Sequence, residues 1–167
     1  TIAGAFQNSG TVELLSGLLS LSSALQQSGG TILLNGGNLT CSGGMTMQGG
    51  TLAGSGIVTG TVNNTGGVVS PGSSAGQLTI SGNYSQGAAG ALNIELGGLA
   101  PGVEYDRLVV LNTATLNGTL TVTWIDPYVA SPGDVFPLLT CSSRSGAFAV
   151  TNLPVAPGIR MWMASTT

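Results

Sequence analysis

The chain of 167 residues contains no histidine and no lysine, and its only cations are Arg107, Arg144 and Arg160. A serine hydroxyl needs a neighbouring base to become a nucleophile, so neither a Ser-His-Asp triad nor a Ser-Lys dyad can be assembled. Three arginines are too few to neutralise a phosphate backbone, and nucleic acid is not an expected partner. Charged residues make up 5% of the chain, against a usual share of about 25%. The net charge of −3 argues for nothing by itself. Long apolar runs are missing too. Leu108-Val109-Val110-Leu111 falls far short of the roughly 18 residues of a spanning helix, so no membrane insertion is expected despite the positive mean hydropathy.

What the chain has instead is glycine, 28 residues of it, at a fixed interval. Asn8-Ser9-Gly10-Thr11-Val12 recurs as Ser28-Gly29-Gly30-Thr31-Ile32 and again as Gln48-Gly49-Gly50-Thr51-Leu52, which puts Gly10, Gly30 and Gly50 twenty residues apart. A constant period of that size is the mark of a stacked repeat, because one unit cannot bury its apolar face alone. The repeat divides again at Thr11, Leu18, Leu25 and Thr31, which fits three short strands and three bends per coil. Alternation at Val12 and Leu14, Leu19 and Leu21, and Leu39 and Cys41 favours strands over helices. The expected fold is all-β, a parallel β-helix or solenoid of about 20 residues per coil. Val12, Ile32 and Leu52 would form an inward ladder, with glycine supplying the positive backbone dihedrals of the corners. Roughly eight coils at about 4.8 Å each would make a rod about 40 Å long.

A single domain, 1–167, is expected, with regular coils over 1–76 and a less regular closing region over 77–167. Ser70-Pro71-Gly72-Ser73-Ser74-Ala75-Gly76 reads as a loop leaving the coils. Strands are expected at Gln77–Ser81, Ala91–Leu96, Arg107–Leu111, Thr119–Trp124, Val135–Thr140, Ala147–Thr151 and Ile159–Met163. Asn117-Gly118 suits either a two-residue hairpin or a solenoid corner, so the C-terminal third has room for antiparallel pairing.

Gly54-Ser55-Gly56-Ile57-Val58-Thr59-Gly60, Ser70-Pro71-Gly72 and Leu78-Thr79-Ile80-Ser81-Gly82-Asn83-Tyr84 carry a family resemblance, together with Tyr105-Asp106-Arg107-Leu108, Leu116-Asn117-Gly118-Thr119-Leu120, Gly133-Asp134-Val135-Phe136 and Gly146-Ala147-Phe148. The stretch from about Gly49 to Trp162 resembles the autotransporter-associated β-strand repeat proteins, bacterial secreted or surface proteins with parallel β-helix passengers. The resemblance implies an extracellular location and a segment that closes a β-helix.

Candidate chemistry is thin. Gly72-Ser73-Ser74-Ala75-Gly76 matches the G-x-S-x-G nucleophile elbow, but Ser74 lacks a base. Gly54-Ser55-Gly56 with Gly60 matches a dinucleotide loop only faintly, since no amphipathic helix follows, and it reads as a corner. Of the acids Glu13, Glu95, Glu104, Asp106, Asp126 and Asp134, only Glu104 and Asp106 lie close in sequence. Two apart, they would share a strand face with Arg107 opposite, and Asp106 is expected to cap a turn or pair with an arginine. Glu13 should face solvent. Thr11, Thr31 and Thr51 could form a row, and Asn38, Asn63, Asn83 and Asn117 each open an N-x-S/T sequon. Cys41 and Cys141 are one hundred residues apart, too far along a rod for an intrachain disulfide, and Cys41 should be a buried free thiol, with an end-to-end intermolecular bridge or a C-terminal fold-back as the alternatives.

No catalytic residue, cofactor or metal site is expected. The reading is a non-enzymatic extracellular module of a bacterial surface fibre or adhesin. It would associate end to end with other copies, through a strand at Ile159–Met163, or with the rest of a larger surface protein. A glycan-recognising adhesin is the alternative, and a carbohydrate-active enzyme is third.

Overall fold

The computed structural model describes residues 1–154, and 165–166 by their backbone. Among the described residues there is no helix; the regular elements are eighteen strands. Every pairing between these strands is parallel.

The strands fall into three rows, each visited once before the chain returns to the first. Row one holds Phe6–Asn8, Leu25–Gln27, Met45–Met47, Val62–Asn64 and Tyr84–Gln86, then the second halves of Arg107–Leu116 and Leu139–Gly146. Row two holds Thr11–Leu14, Thr31–Asn35, the start of Thr51–Thr59, Val68–Pro71, Ala91–Leu96, Thr119–Trp124 and Val150–Asn152. Row three holds Gly17–Leu21, Gly37–Cys41, the end of Thr51–Thr59, Gln77–Ile80, the first halves of Arg107–Leu116 and Leu139–Gly146, and Ser165–Thr166.

Register follows the glycine period and then departs from it. Thr11, Thr31, Thr51, Val68, Ala91, Thr119 and Val150 are successive partners in row two, so the steps are 20, 20, 17, 23, 28 and 31 residues. The lengthening steps explain why, among the described residues, each row has seven levels rather than the eight expected at a constant 20 residues. The expected ladder of Val12, Ile32 and Leu52 is present and continues through Val69, Leu92 and Leu120. Ile32 and Leu120 are 1% exposed and Leu52, Val69 and Leu92 fully buried, whereas Val12 is half-buried. Strand alternation therefore sends one parity of all three rows into a single apolar core.

Glycine is required where successive corners touch. At Gly30 the backbone has φ +63°, and a Cβ would lie 1.9 Å from the carbonyl oxygen of Gly10 one level away.

Three expectations are corrected. Asn117-Gly118 is a corner and not a hairpin: Arg107–Leu116 and Thr119–Trp124 pair in parallel with strands of other levels and not with each other. Antiparallel contacts among the described residues are two isolated bridges, Gly54 with Gly72 and Leu96 with Tyr105. The strand expected at Val135–Thr140 begins only at Leu139, because Pro137 has no amide hydrogen for a ladder. In place of Ala147–Thr151 the strand is Val150–Asn152, and Ile159–Met163 lies outside the described residues.

Candidate functional site

The junction from row two to row three is where the chain departs from its ladder. Thr51–Thr59 crosses it as one continuous strand, but residues 72–76, 97–106 and 125–138 leave the rows there, and each excursion is longer than the one before. Chemistry-bearing side chains gather on them. Residues 1–94 contain a single charged side chain, Glu13, while Glu104, Asp106, Asp126 and Asp134 all lie on the excursions.

Asp106 is the centre of this corner. Its side chain is 1% exposed; Oδ1 accepts the amide hydrogen of Gly76 at 2.8 Å and Oδ2 that of Glu95 at 2.9 Å. Burial pushes its carboxyl up to about 6, while the two amide donors act to lower it. The carboxylate thus joins the first excursion, the strand Ala91–Leu96 and the start of Arg107–Leu116. The expected turn-capping role holds. The expected shared strand face with Glu104 does not, because 97–106 is turn rather than strand: Glu104 is exposed, and its Oε2 accepts the amides of Leu99 and Ala100, both at 2.9 Å. Arg107 donates from Nε to Gln77 Oε1 at 3.1 Å. Asp134 Oδ2 accepts from the Ser131 amide at 2.7 Å and the Tyr128 hydroxyl at 3.3 Å.

Aromatic rings bind the second and third excursions together. Tyr105 meets Phe136 edge to face at 5.5 Å between centroids, Tyr128 meets Phe136 at 6.4 Å, and Trp124 meets Tyr128 at 5.8 Å. Outside this cluster the corner leaves apolar side chains in solvent: Leu99, Val103, Val129 and Val135 are each more than half exposed.

The remaining candidates take structural places. Ser74 is exposed with φ +86°, and the carboxylate beside its loop is spent on backbone amides. Gly54 and Gly56 lie in a strand that turns from row two to row three, and a Cβ at Gly54 would strike the Leu34 carbonyl. Thr11, Thr31 and Thr51 are register partners, but the row ends at Val68. Glu13 faces solvent and accepts from Asn35 Nδ2 at 3.0 Å. The sequon asparagines serve the ladder: Asn38 accepts from the Ile57 amide, Asn63 from the Ser85 hydroxyl, Asn83 from the Thr113 amide and Asn117 from the Gly118 amide. Cys41 and Cys141 are both buried free thiols. Their levels are four pairing steps apart, about 19 Å, beyond the reach of a disulfide. Burial pushes the Cys41 thiol up to about 11.

Sequence reasoning missed a line of buried amides in row one. Asn8, Gln27, Met47, Asn64 and Gln86 are successive register partners, and the four amides are nearly or fully buried. Asn8 Nδ2 donates to Gln27 Oε1 at 2.8 Å, and Gln27 Nε2 to the Gly29 carbonyl at 2.6 Å. Asn64 Oδ1 accepts from the Gly67 amide at 2.7 Å. Gln86 donates to the carbonyls of Gly90, Asn117 and Thr119 and accepts from the Tyr84 hydroxyl at 2.7 Å. These amides bond backbone groups at and beside the corners, some of which, such as the Gly90 carbonyl, also accept from the next level, and among the described residues no buried side-chain nitrogen or oxygen lacks a partner. The available signal was Phe6-x-Asn8, Leu25-x-Gln27, Val62-x-Asn64 and Tyr84-x-Gln86, an amide at inward parity just before a turn.

On the outer side of row one, a groove of about 340 Å³ is lined by Gln7, Gln26, Ser28 and Gln48, all uncharged. Among the described residues no three acids, thiols or imidazoles lie close enough to hold a metal ion. Comparison of the chain with family models, with curated proteins and with solved structures finds no match.

Proposed function

We propose that the chain is a parallel β-solenoid of three faces and that its role is structural: a non-catalytic module of an extracellular bacterial fibre or adhesin, of the kind its glycine-rich motifs resemble. The observation that carries this reading is the parallel pairing of each level with the next in all three rows, with one register shift between Val110 and Thr113, over a core whose buried side-chain polar atoms, among the described residues, all have partners. Such a stack gains stiffness from nearest-neighbour contacts along one axis. In support of a non-catalytic role, Glu104, Asp106 and Asp134 each accept backbone amides. The module would work by spacing or coating, and would associate end to end with further copies or with the rest of a larger surface protein. Far-UV circular dichroism combined with negative-stain microscopy tests this. Short rods or filaments with a β spectrum are expected; rounded particles or a helical double minimum would sink the reading.

A binding role is the second reading, favoured by the groove of Gln7, Gln26, Ser28 and Gln48. Carboxamides and hydroxyls without charge match the hydroxyls of a neutral glycan. A glycan array probed with the purified chain separates the two readings, since reproducible binding lost in Gln26→Ala would favour the adhesin.

A further inference from the structure

The outer face of row one differs from the outer faces of the other two rows. Its register line begins with Gln7, Gln26, Thr46 and Asn63 and ends with Thr115 and Ser145, an uncharged hydrogen-bonding side chain at every level. The outer lines of row two include Leu33, Ala53 and Val68, and those of row three Leu18, Ile57 and Val109.

Along row one the polar groups fall into two sets. At the later levels they bond one another: Ser85 Oγ donates to Asn63 Oδ1 at 2.9 Å, and Ser145 Oγ to Thr115 Oγ1 at 3.0 Å. At the first three levels they do not. Gln27, Gln77 and Gln86 spend their carboxamides within the fold, whereas among the described residues those of Gln7, Gln26 and Gln48 have no protein partner. These three glutamines, with Ser28, line the groove of about 340 Å³, within the range of about 300–1,000 Å³ usual for small-molecule sites. They stand on three successive levels, so a ligand that touches all of them crosses the strands and runs along the axis for about 10 Å.

The chemistry of the lining selects the ligand. Each carboxamide offers a donor and an acceptor at one place, which suits hydroxyl groups that are both. The one charged side chain among residues 1–94 is Glu13, on row two, so an anion meets no cation in the groove. An apolar ligand meets no apolar wall, and Leu25–Gln27 is already paired on both edges, which leaves no place there for a peptide to add as a strand. Building on the binding reading above, we propose that this groove holds a neutral polysaccharide, its chain laid along the solenoid axis and its hydroxyls bonded to Gln7, Gln26 and Gln48. Asn63 stands one level beyond Thr46, within reach of a longer chain. Among the described residues no aromatic ring lines the groove, so stacking adds nothing and affinity accumulates from hydrogen bonds as the ligand lengthens.

The test is calorimetric titration of the native chain with neutral linear glucans, mannans and galactans of one to six sugars, and with oligogalacturonate as an anionic comparator. At least one neutral series should bind, undetectably as the single sugar and more tightly with each added unit. Its affinity should be the same at about 50 and about 500 mM salt, because no charge pair is involved. Oligogalacturonate should not bind. Gln7→Ala, Gln26→Ala and Gln48→Ala should each weaken the six-sugar ligand about five- to tenfold. Asn63→Ala should weaken the six-sugar ligand and leave the three-sugar one unchanged, and Asn93→Ala on row two should change neither. None of these side chains is buried, so thermal melts of the variants should match the parent and separate lost binding from lost folding. Binding left intact by the glutamine variants would overturn this site while an adhesin role elsewhere on the chain stands. Absence of binding across the neutral series, or salt-sensitive binding of oligogalacturonate, would overturn the neutral class.

Discussion

The carboxylate of Asp106 and the amide of Gly76, thirty positions apart in the chain, meet at 2.8 Å. One buried acid thereby fastens a loop to the strand a full level away. Asp106→Ala would leave the amides of Gly76 and Glu95 without their acceptor in a site that water does not reach. Each such group costs about 1–3 kcal/mol, so a loss of that order is expected in urea melts. A loss no greater than that of an exposed substitution would mean that the loop finds other partners.

The same group sets a pH dependence. Its carboxyl is raised in the folded chain from 3.8 to about 6, chiefly by burial, so between these values the folded state binds more protons than the unfolded one. Asp106's contribution is therefore fully present below about pH 4, falls as pH rises towards 6 and is level above that. Unfolding midpoints measured across this window should decline in the parent, and the decline should shrink in Asp106→Asn.

Gly30 and Gly10 occupy equivalent places in the repeat but not in space. Alanine at Gly30 would combine a left-handed φ with an overlap against the Gly10 carbonyl, whereas a Cβ at Gly10 meets nothing within 4 Å. Gly30→Ala should cost at least about 2 kcal/mol and Gly10→Ala less than about 0.5. Thermal melts of the two variants side by side would decide it.

Leu34 is fully buried, while Glu13 is exposed. Leu34→Ala should destabilise by about 2–5 kcal/mol through lost contacts and a cavity, and Glu13→Gln by no more than a few tenths. Comparable losses would overturn the assignment of inward parity.

Burial and a thiol raised to about 11 make Cys41 a poor nucleophile in the folded chain. A disulfide-exchange reagent at mildly alkaline pH should modify it at the rate of global unfolding, faster in denaturant. Rapid labelling under native conditions would show that the level around Leu39 and Cys41 opens locally.

The part of the fold legible in advance is the part governed by near-neighbour rules. The parity of Val12 and Leu14, or Ile32 and Leu34, follows from strand alternation, and the twenty-residue interval announces the stacking of Gly10, Gly30 and Gly50. Beyond Gly50 the register steps change to 17, 23, 28 and 31, so a fixed period no longer says which residues meet. The partners of Asp106 were hidden for that reason, although its capping role was not. The Asn-Gly at 117–118 was ambiguous because hairpins and corners make the same local demand, a positive φ, which Gly118 meets at +65°. Gln27, Asn64 and Gln86 were overlooked because amides are ordinarily surface residues; here the corner carbonyls repay their desolvation.

The three excursions at one junction show where this architecture tolerates novelty. A loop of five residues in one level becomes fourteen two levels later, yet the strands on either side still pair in parallel with the level before them, with one register shift between Val110 and Thr113. Added chain at this point lies outside the ladder pairing, while Tyr105, Asp106 and Phe136 turn inward from the excursions and are buried. Foreign peptides inserted between Ser131 and Asp134 would break the hydrogen bonds between those two residues but leave the strands paired, and the same property would let gene duplication and slippage diversify one edge of the molecule while its ladders stay the same.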